Sequence, residues 1–340
     1  MASIKNSLQK IRRIYGGFKI LKKTGKTPDF AYHAMRSLFV ETGGSSNDVI
    51  SKLIKQKKYE GINFSDGVLQ FKNSTELKDS VKSLQQNGFH IFDAKLDEAT
   101  VNKIVDYAKS TPCKYRKINE NSTGSDYKIE ITEEEGLFDE SNPKSPIYQF
   151  KMDNIVQSKE LQELIFDTSL LAFAQEYLDS KPILDLLAMW WSVPFAGKGK
   201  SEAAQMYHFD LDRIKFVKFF FYLTDVDGET GPHCYVKGSH KKLHPTLKRD
   251  GRFSDEEVEK AFGKNNLLEL SGKKGSIMVV DTRGLHKGKD LTKDKRLIFQ
   301  IEFANSMFGQ VYPPCKKPQL RDELDARYKK YFDTYSATIE

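Results

Sequence analysis

Chemistry in this sequence concentrates on two histidines and one aspartate. The segment Tyr207-His208-Phe209-Asp210 reads as a strand end, and the two-residue period of a strand sends His208 and Asp210 to one face while Phe209 points away. Further along, the apolar run from Ser276 to Asp281 leads through Thr282-Arg283-Gly284-Leu285 to His286. That places a second histidine near the end of another strand. Two imidazoles and a carboxylate on one face of an octahedral ion leave three positions open, which suits non-haem Fe(II) with an oxidising co-substrate. A His-x-Asp pair alone carries little weight.

Arg296 adds a second signal. It follows His286 across an expected turn at 289–292, so the two are expected side by side on paired antiparallel strands. An arginine buried beside a metal is costly unless an anion pairs with it. A dicarboxylate that chelates the metal through one end and meets the Arg296 guanidinium with the other satisfies both groups.

These residues need a scaffold. Strands are expected at 184–193, 204–209, 215–223, 234–236, 267–270, 276–281 and 296–304, separated by Gly, Pro and Asp turns with no regular alternation of helices between them. That pattern argues for an antiparallel sandwich or barrel rather than a parallel sheet. Upstream, helices are expected at 75–86 and 97–110 around an Asn87-Gly88 turn and a strand at 89–92, and another helix at 158–177. Ser254 and Glu257 form a capping-box signal for one inserted helix, and a last amphipathic helix covers 320–335. The acid-rich segment 119–146 reads as a solvated loop, with a mobile lid as the alternative. Trp190 and Trp191 are adjacent on a strand, which sends one into the barrel and the other under a helix.

Composition bounds the rest. Of 54 Lys and Arg, eight lie in the first 28 residues, which hold no acidic residue; the remaining 46 face 47 Asp and Glu, a balance of −1. A near-neutral body argues against a nucleic-acid surface built into the fold. Ile4, Leu8, Ile11, Tyr15, Phe18 and Leu21 line one helical face of the tail, interrupted by Gly16 and Gly17. Such a helix packs on the body, makes weak peripheral contact with an anionic membrane, or serves as a targeting segment. Residues 42–48 read as a flexible break. The domain reading is a basic extension over 1–48, the main domain over 49–310 and a C-terminal helix packed on the core over 311–340. Three distant cysteines, Cys113, Cys234 and Cys315, indicate neither a disulfide framework nor a thiolate zinc site. With no apolar run long enough for a span or a secretory signal, a cytoplasmic protein is expected.

Taken in order, His208-Phe209-Asp210, the run 219–226, Thr230-Gly231-Pro232, Gly238-Ser239-His240-Lys241, Gly275-Ser276 to Asp281, His286 and Arg296 resemble the phytanoyl-CoA dioxygenase family of Fe(II)- and 2-oxoglutarate-dependent oxygenases. The segment 87–92 and the helix after it are similar to that family's opening strand and helix. The resemblance covers residues 75 to 305. It implies a mainly β fold with flanking helices, a double-stranded β-helix or jelly roll, with the metal in the barrel mouth. It also implies that His208, Asp210 and His286 ligate the iron and that Arg296 holds the distal carboxylate of 2-oxoglutarate. Lys151 and Met189 match family residues near the co-substrate. Leu223 replaces a frequent aromatic residue, and Gly288 stands where some members have serine.

The activity so implied is consumption of O2 and 2-oxoglutarate, release of succinate and CO2, and hydroxylation of an unactivated C–H on a small or medium organic substrate. Related halogenases replace the carboxylate ligand by a small residue, so Asp210 favours hydroxylation. Two other readings stand beside it: a cupin-like isomerase or hydrolase using the same triad without co-substrate, and a non-catalytic binding protein with a membrane-associating tail. Of the other histidines, His240 reads as a turn or core residue, His233 and His244 as solvated loop residues flanking that turn, with the alternative that one reaches substrate at the barrel mouth, and His33 and His90 carry no functional weight.

Overall fold

The computed structural model describes residues 2–118, 129–194, 206–332 and 338–339. Among these, the strands are β1 (Phe89–Lys95), β2 (Cys113–Ile118), β3 (Ile129–Gly136), β4 (Ile147–Gln149), β5 (Ile183–Ser192), β6 (Phe216–Tyr222), β7 (His233–Val236), β8 (Leu267–Leu270), β9 (Ser276–Val280), β10 (His286–Gly288) and β11 (Arg296–Ala304). They form an eight-stranded sheet, ordered β1-β9-β6-β11-β5-β4-β2-β3, and a three-stranded sheet, β10-β7-β8. Every pair of these strands is antiparallel. The two sheets close on a shared cluster of Phe220, Tyr222, Tyr235, Leu270, Met278 and Ile298. This is the expected jelly-roll core.

The helices are α1 (Ala2–Thr24), α2 (Asp29–Thr42), α3 (Ser45–Leu53), α4 (Ser74–Asn87), α5 (Glu98–Ser110), α6 (Met152–Ile155), α7 (Lys159–Ile165), α8 (Thr168–Leu178), α9 (Asp255–Phe262) and α10 (Asp322–Tyr331). Alternation on β6 shows how they attach. Val217, Phe219 and Phe221 point outward into a core shared with α4, α5, α7, α8 and α10, whereas Phe220 and Tyr222 point into the barrel. A strand buried on both faces reads as a continuous aromatic run, with Lys218 its one charged member. Caps set the helix boundaries. Asp97 accepts from the Thr100 N–H, and Ser254 and Glu257 form the expected capping box of α9. Asp167 caps α8 and divides the expected 158–177 helix into α7 and α8. Gly88 ends α4 at φ 87°, and a Cβ there would collide with Tyr235 and His240.

Three expectations change. The 119–146 segment is not only loop: β3 pairs with β2 as the edge of the large sheet, where Glu134 and Glu135 stay exposed. Acidic side chains are tolerated on such an edge and discourage further pairing; residues 119–128 lie outside the described set. Residues 42–48 are a two-glycine turn, with Gly43 at φ 63° and Gly44 at φ 101°, leading straight into α3. Of the expected strand at 204–209, residues 204–205 lie outside the described set, and Tyr207 and His208 form only isolated bridges, to Phe253 and His286.

Helix α1 packs on the body through a face offset from the expected stripe. Ile14, Phe18 and Leu21 join a cluster with Ala31, Met35 and Phe308, and Phe18 stacks on Phe308 with ring centroids 4.2 Å apart. Leu8, Ile11 and Tyr15 are exposed. Gly17 is buried where a Cβ would overlap Ala31, so it permits close helix approach rather than interrupting the helix. No described helix is long and apolar enough to cross a membrane.

Candidate metal centre

Reciprocal backbone bonds bring the triad together. The His208 N–H donates to the His286 carbonyl at 2.9 Å, the His286 N–H returns to the His208 carbonyl at 2.8 Å, and the Asp210 N–H donates to the Thr282 carbonyl at 2.8 Å. His286 opens β10 directly opposite. One ligand atom from each of His208, Asp210 and His286 lies within 4.8 Å of the others, so the set could hold a metal ion. Asp210 Oδ1 is 3.8 Å from His208 Nε2, and Oδ2 is 3.4 Å from His286 Nε2.

The imidazoles are oriented for this. His208 Nδ1 lies 3.1 Å from the Met206 carbonyl and His286 Nδ1 lies 3.0 Å from the Gly284 carbonyl. Each contact assigns the proton to Nδ1 and leaves the Nε2 lone pair facing Asp210. Burial, reinforced by His286, lowers the His208 pKa to about 3, so this imidazole is neutral near pH 7. Burial pushes the Asp210 carboxyl upward, but Lys218 and the two histidines outweigh it and hold it well below the usual range. A neutral His208 imidazole and an ionised Asp210 carboxylate are the protonation states a divalent cation requires.

Lys218 was not anticipated from sequence. Its Nζ lies 2.8 Å from Asp210 Oδ2, 2.8 Å from Asp212 Oδ2 and 3.4 Å from Glu302 Oε2. Burial disfavours its charge, yet the three acids raise its pKa well above normal, while Glu302, fully buried, is pushed well above the carboxylate range. The signal was a lysine inside the aromatic run of β6, an interior position that charge occupies only when paired.

Arg296 does not lie beside His286 on a paired strand. Residues 289–295 switch sheets, so β10 pairs with β7 while β11 sits between β5 and β6. Arg296 therefore faces the triad from the opposite sheet. It is buried, donates to Ser192 Oγ at 3.2 Å, and leaves Nε without a hydrogen-bond partner. Burial lowers its pKa, and no carboxylate of the described residues is among the groups acting on it. His233, expected in a solvated loop, is buried on β7 instead. Its ring stacks on His286 at 5.3 Å, its Nε2 has no partner, and burial, His286 and then Arg296 push its pKa well below normal. A neutral histidine thus stands between the triad and Arg296.

The remaining candidates separate. Lys151 precedes α6 at the rim, exposed, and pairs with Glu135 of β3. Met189 is turned away from the site: alternation on β5 sends it with Leu187 and Trp191 to the helix-covered face, opposite Phe299. Trp190 occupies the barrel face, and Trp191 stacks on Phe138 at 4.5 Å. His240 Nε2 meets the Gln85 carbonyl at 3.1 Å, tying the Gly-Ser-His turn to α4 rather than to a metal. A cavity of about 740 Å³ runs from Asp210 and Lys218 past Gln300 and Trp190 to Gln149 and Arg116.

Several solved structures are similar to part of this chain at low identity. The epimerase SnoN, in complex with Fe3+, alpha ketoglutarate and nogalamycin RO, is 14% identical with a TM-score of 0.49, covering 68% of this chain and 85% of that one. HygX from Streptomyces hygroscopicus with nickel and 2-oxoglutarate bound is 16% identical with a TM-score of 0.48, covering 69% and 89%. AviO1 from Streptomyces viridochromogenes Tue57 is 14% identical with a TM-score of 0.45, covering 69% and 97%. No curated protein matches the sequence. The family model described as Phytanoyl-CoA dioxygenase (PhyH) matches residues 84–297, a span that holds the triad, Lys218 and Arg296, and the chain belongs to that family.

Proposed function

We propose that the protein is an Fe(II)- and 2-oxoglutarate-dependent oxygenase that hydroxylates an unactivated C–H of a small or medium organic substrate and releases succinate and CO2. The observation that carries this reading is Arg296, a buried guanidinium with no carboxylate partner among the described residues, facing a His/Asp/His set from the opposite sheet. A dicarboxylate is the ligand that answers both features.

In this reading His208, Asp210 and His286 hold the metal through Nε2, a carboxylate oxygen and Nε2, and Arg296 receives the distal carboxylate of the co-substrate. Bound ferrous iron with 2-oxoglutarate and O2 supplies the oxidising power for C–H cleavage. The protein orients and excludes water. Lys218 fixes the Asp210 carboxylate, the Met206 and Gly284 carbonyls fix the two imidazoles, and the aromatic lining of the barrel keeps solvent out. His233 Nε2, without a hydrogen-bond partner beside His286, would serve as a further contact to the co-substrate.

The test is O2 consumption coupled to succinate formation after anaerobic Fe(II) loading, with Asp210→Ala as control. Absence of both in the wild type sinks the proposal. A cupin-like isomerase or hydrolase is the second reading. It would retain much of its activity in Arg296→Met, because it needs no co-substrate anion.

Three buried thiols, none in a disulfide, support a reducing, cytoplasmic location. For α1 we propose weak, salt-sensitive contact with anionic membranes. Exposed Leu8, Ile11 and Tyr15 lie on a helix with an excess of basic residues. Liposome sedimentation unchanged by deletion of residues 1–28 would remove that assignment.

A further inference from the structure

Strand register places a second arginine on the barrel face. Arg296 pairs with Ser192, Ser192 with Ile147, and Ile147 with Arg116. Directly paired residues share a face, so Arg116 and Arg296 point to the same side, three strands apart, roughly 14 Å along the sheet. Arg116 lines the cavity that reaches Asp210, whereas Arg296 does not. Its Nε is sealed with no hydrogen-bond partner, burial alone lowers its pKa to about 10, and no carboxylate pairs with it among the described residues.

The other cations around this cavity differ. Lys218 is committed to Asp210, Asp212 and Glu302, Lys151 to Glu135, and Lys114, which also lines the cavity, has a contact of its own. Between Arg116 and Asp210 the wall is mixed, with Trp190 beside Gln149 and Gln300. A half-buried guanidinium facing a cavity, its Nε sealed and without an acid of its own among the described residues, calls for an anion from outside the chain.

We propose that Arg116 receives an acidic group, a carboxylate or a phosphate, carried by the substrate, whose body lies along Trp190 and whose reacting carbon reaches the Asp210 end. The inference takes its reacting end from the oxygenase reading above. The acid site itself stands on Arg116 and the cavity. Because no ion pair among the described residues is broken by replacing Arg116, Arg116→Gln retains the fold.

The experiment titrates the full-length protein with 3-phenylpropionate, phenethyl phosphate and 3-phenylpropanol, following fluorescence quenching of Trp190; Trp191, on the other face, serves as the internal reference. At least one acid is expected to bind about tenfold more tightly than the alcohol, a factor in keeping with one charge-assisted pair. Arg116→Gln is expected to erase that preference without changing alcohol binding, and Arg116→Lys to keep part of it. The two acid arms distinguish carboxylate from phosphate. No preference in the wild type, or a preference surviving in Arg116→Gln, overturns the inference. Binding of 2-oxoglutarate to the Fe(II)-loaded protein is measured in parallel. Its failure with the acid preference intact removes the oxygenase reading and leaves the acid site, while binding without the preference overturns the acid site alone.

Discussion

Lys218 Nζ lies 2.8 Å from Asp210 Oδ2, so the carboxylate of the triad is held by a buried cation before any metal arrives. The same ammonium serves Asp212 and Glu302. Removing it takes the buried ammonium from Asp210 and Asp212, and Lys218→Met is expected to lose about 3–5 kcal/mol of stability as well as affinity for Fe(II). Chemical denaturation and metal titration check both. An unchanged denaturation midpoint would show that the cluster is neutralised in some other way.

Arg296→Met behaves in the opposite sense. No carboxylate partner among the described residues is lost with the guanidinium, and a buried charge without such a partner is removed, so stability is expected to hold or rise. Affinity for 2-oxoglutarate is expected to fall by at least about 1.5–3 kcal/mol, the contribution of a hydrogen bond to a charged group, while metal binding persists. Thermal melts and paired ligand titrations separate the two effects. A large drop in melting temperature would instead mark Arg296 as a structural residue.

The acid limb of stability is expected to run through Asp281. Its buried carboxylate accepts from Tyr177 Oη and from Arg283, with Arg283 Nη2 at 2.7 Å. Burial pushes its pKa upward, but Arg283 outweighs this and brings it to about 2. A folded pKa below the unfolded one means that the stabilisation is present above about pH 4 and is lost as pH falls toward 2, an effect of roughly 2 kcal/mol. Asp281→Asn is expected to flatten that limb and to lower stability at neutral pH, because Arg283 then lacks its principal acid. Denaturant midpoints between pH 2 and 7 are the check, and an unaltered acid limb in the variant would contradict the assignment.

Adjacent glycines in α1 give opposite results. A Cβ at Gly16 meets nothing within 4 Å, so Gly16→Ala is expected to stabilise by about 0.5–1 kcal/mol. At Gly17 the new methyl would press on Ala31 and Phe308, and Gly17→Ala is expected to cost about 1–3 kcal/mol. Equal effects of the two variants would mean that α1 does not dock as described.

How far the sequence alone reached follows from which forces act locally. His208, Asp210 and His286 come together as expected, into a set that could hold a metal, because alternate residues of an extended segment share a face even where that segment forms isolated bridges rather than a strand. The Asn87-Gly88 turn and the Ser254/Glu257 capping box were legible because backbone chemistry dictates them. Arg296 was found but placed on the wrong neighbour, since nothing in 289–295 states that the chain changes sheets there. Met189 was assigned to the pocket because a resemblance transfers position, whereas alternation on β5 sends it to the helix side. His233 and Arg116 were missed because each owes its position to partners distant in sequence: His233 stacks on His286, and Arg116 falls in line with Arg296 through two intervening strands.

The central claim is that the triad and Arg296 together hold one dicarboxylate. Anaerobic calorimetric titration of 2-oxoglutarate into the Fe(II)-loaded wild type, Asp210→Ala and Arg296→Met tests it most directly. Saturable binding of one equivalent to the wild type is expected, with strong weakening in Arg296→Met while the metal is retained, and loss in Asp210→Ala together with the metal. Absence of binding to the wild type, or equal affinity in the wild type and Arg296→Met, would contradict it.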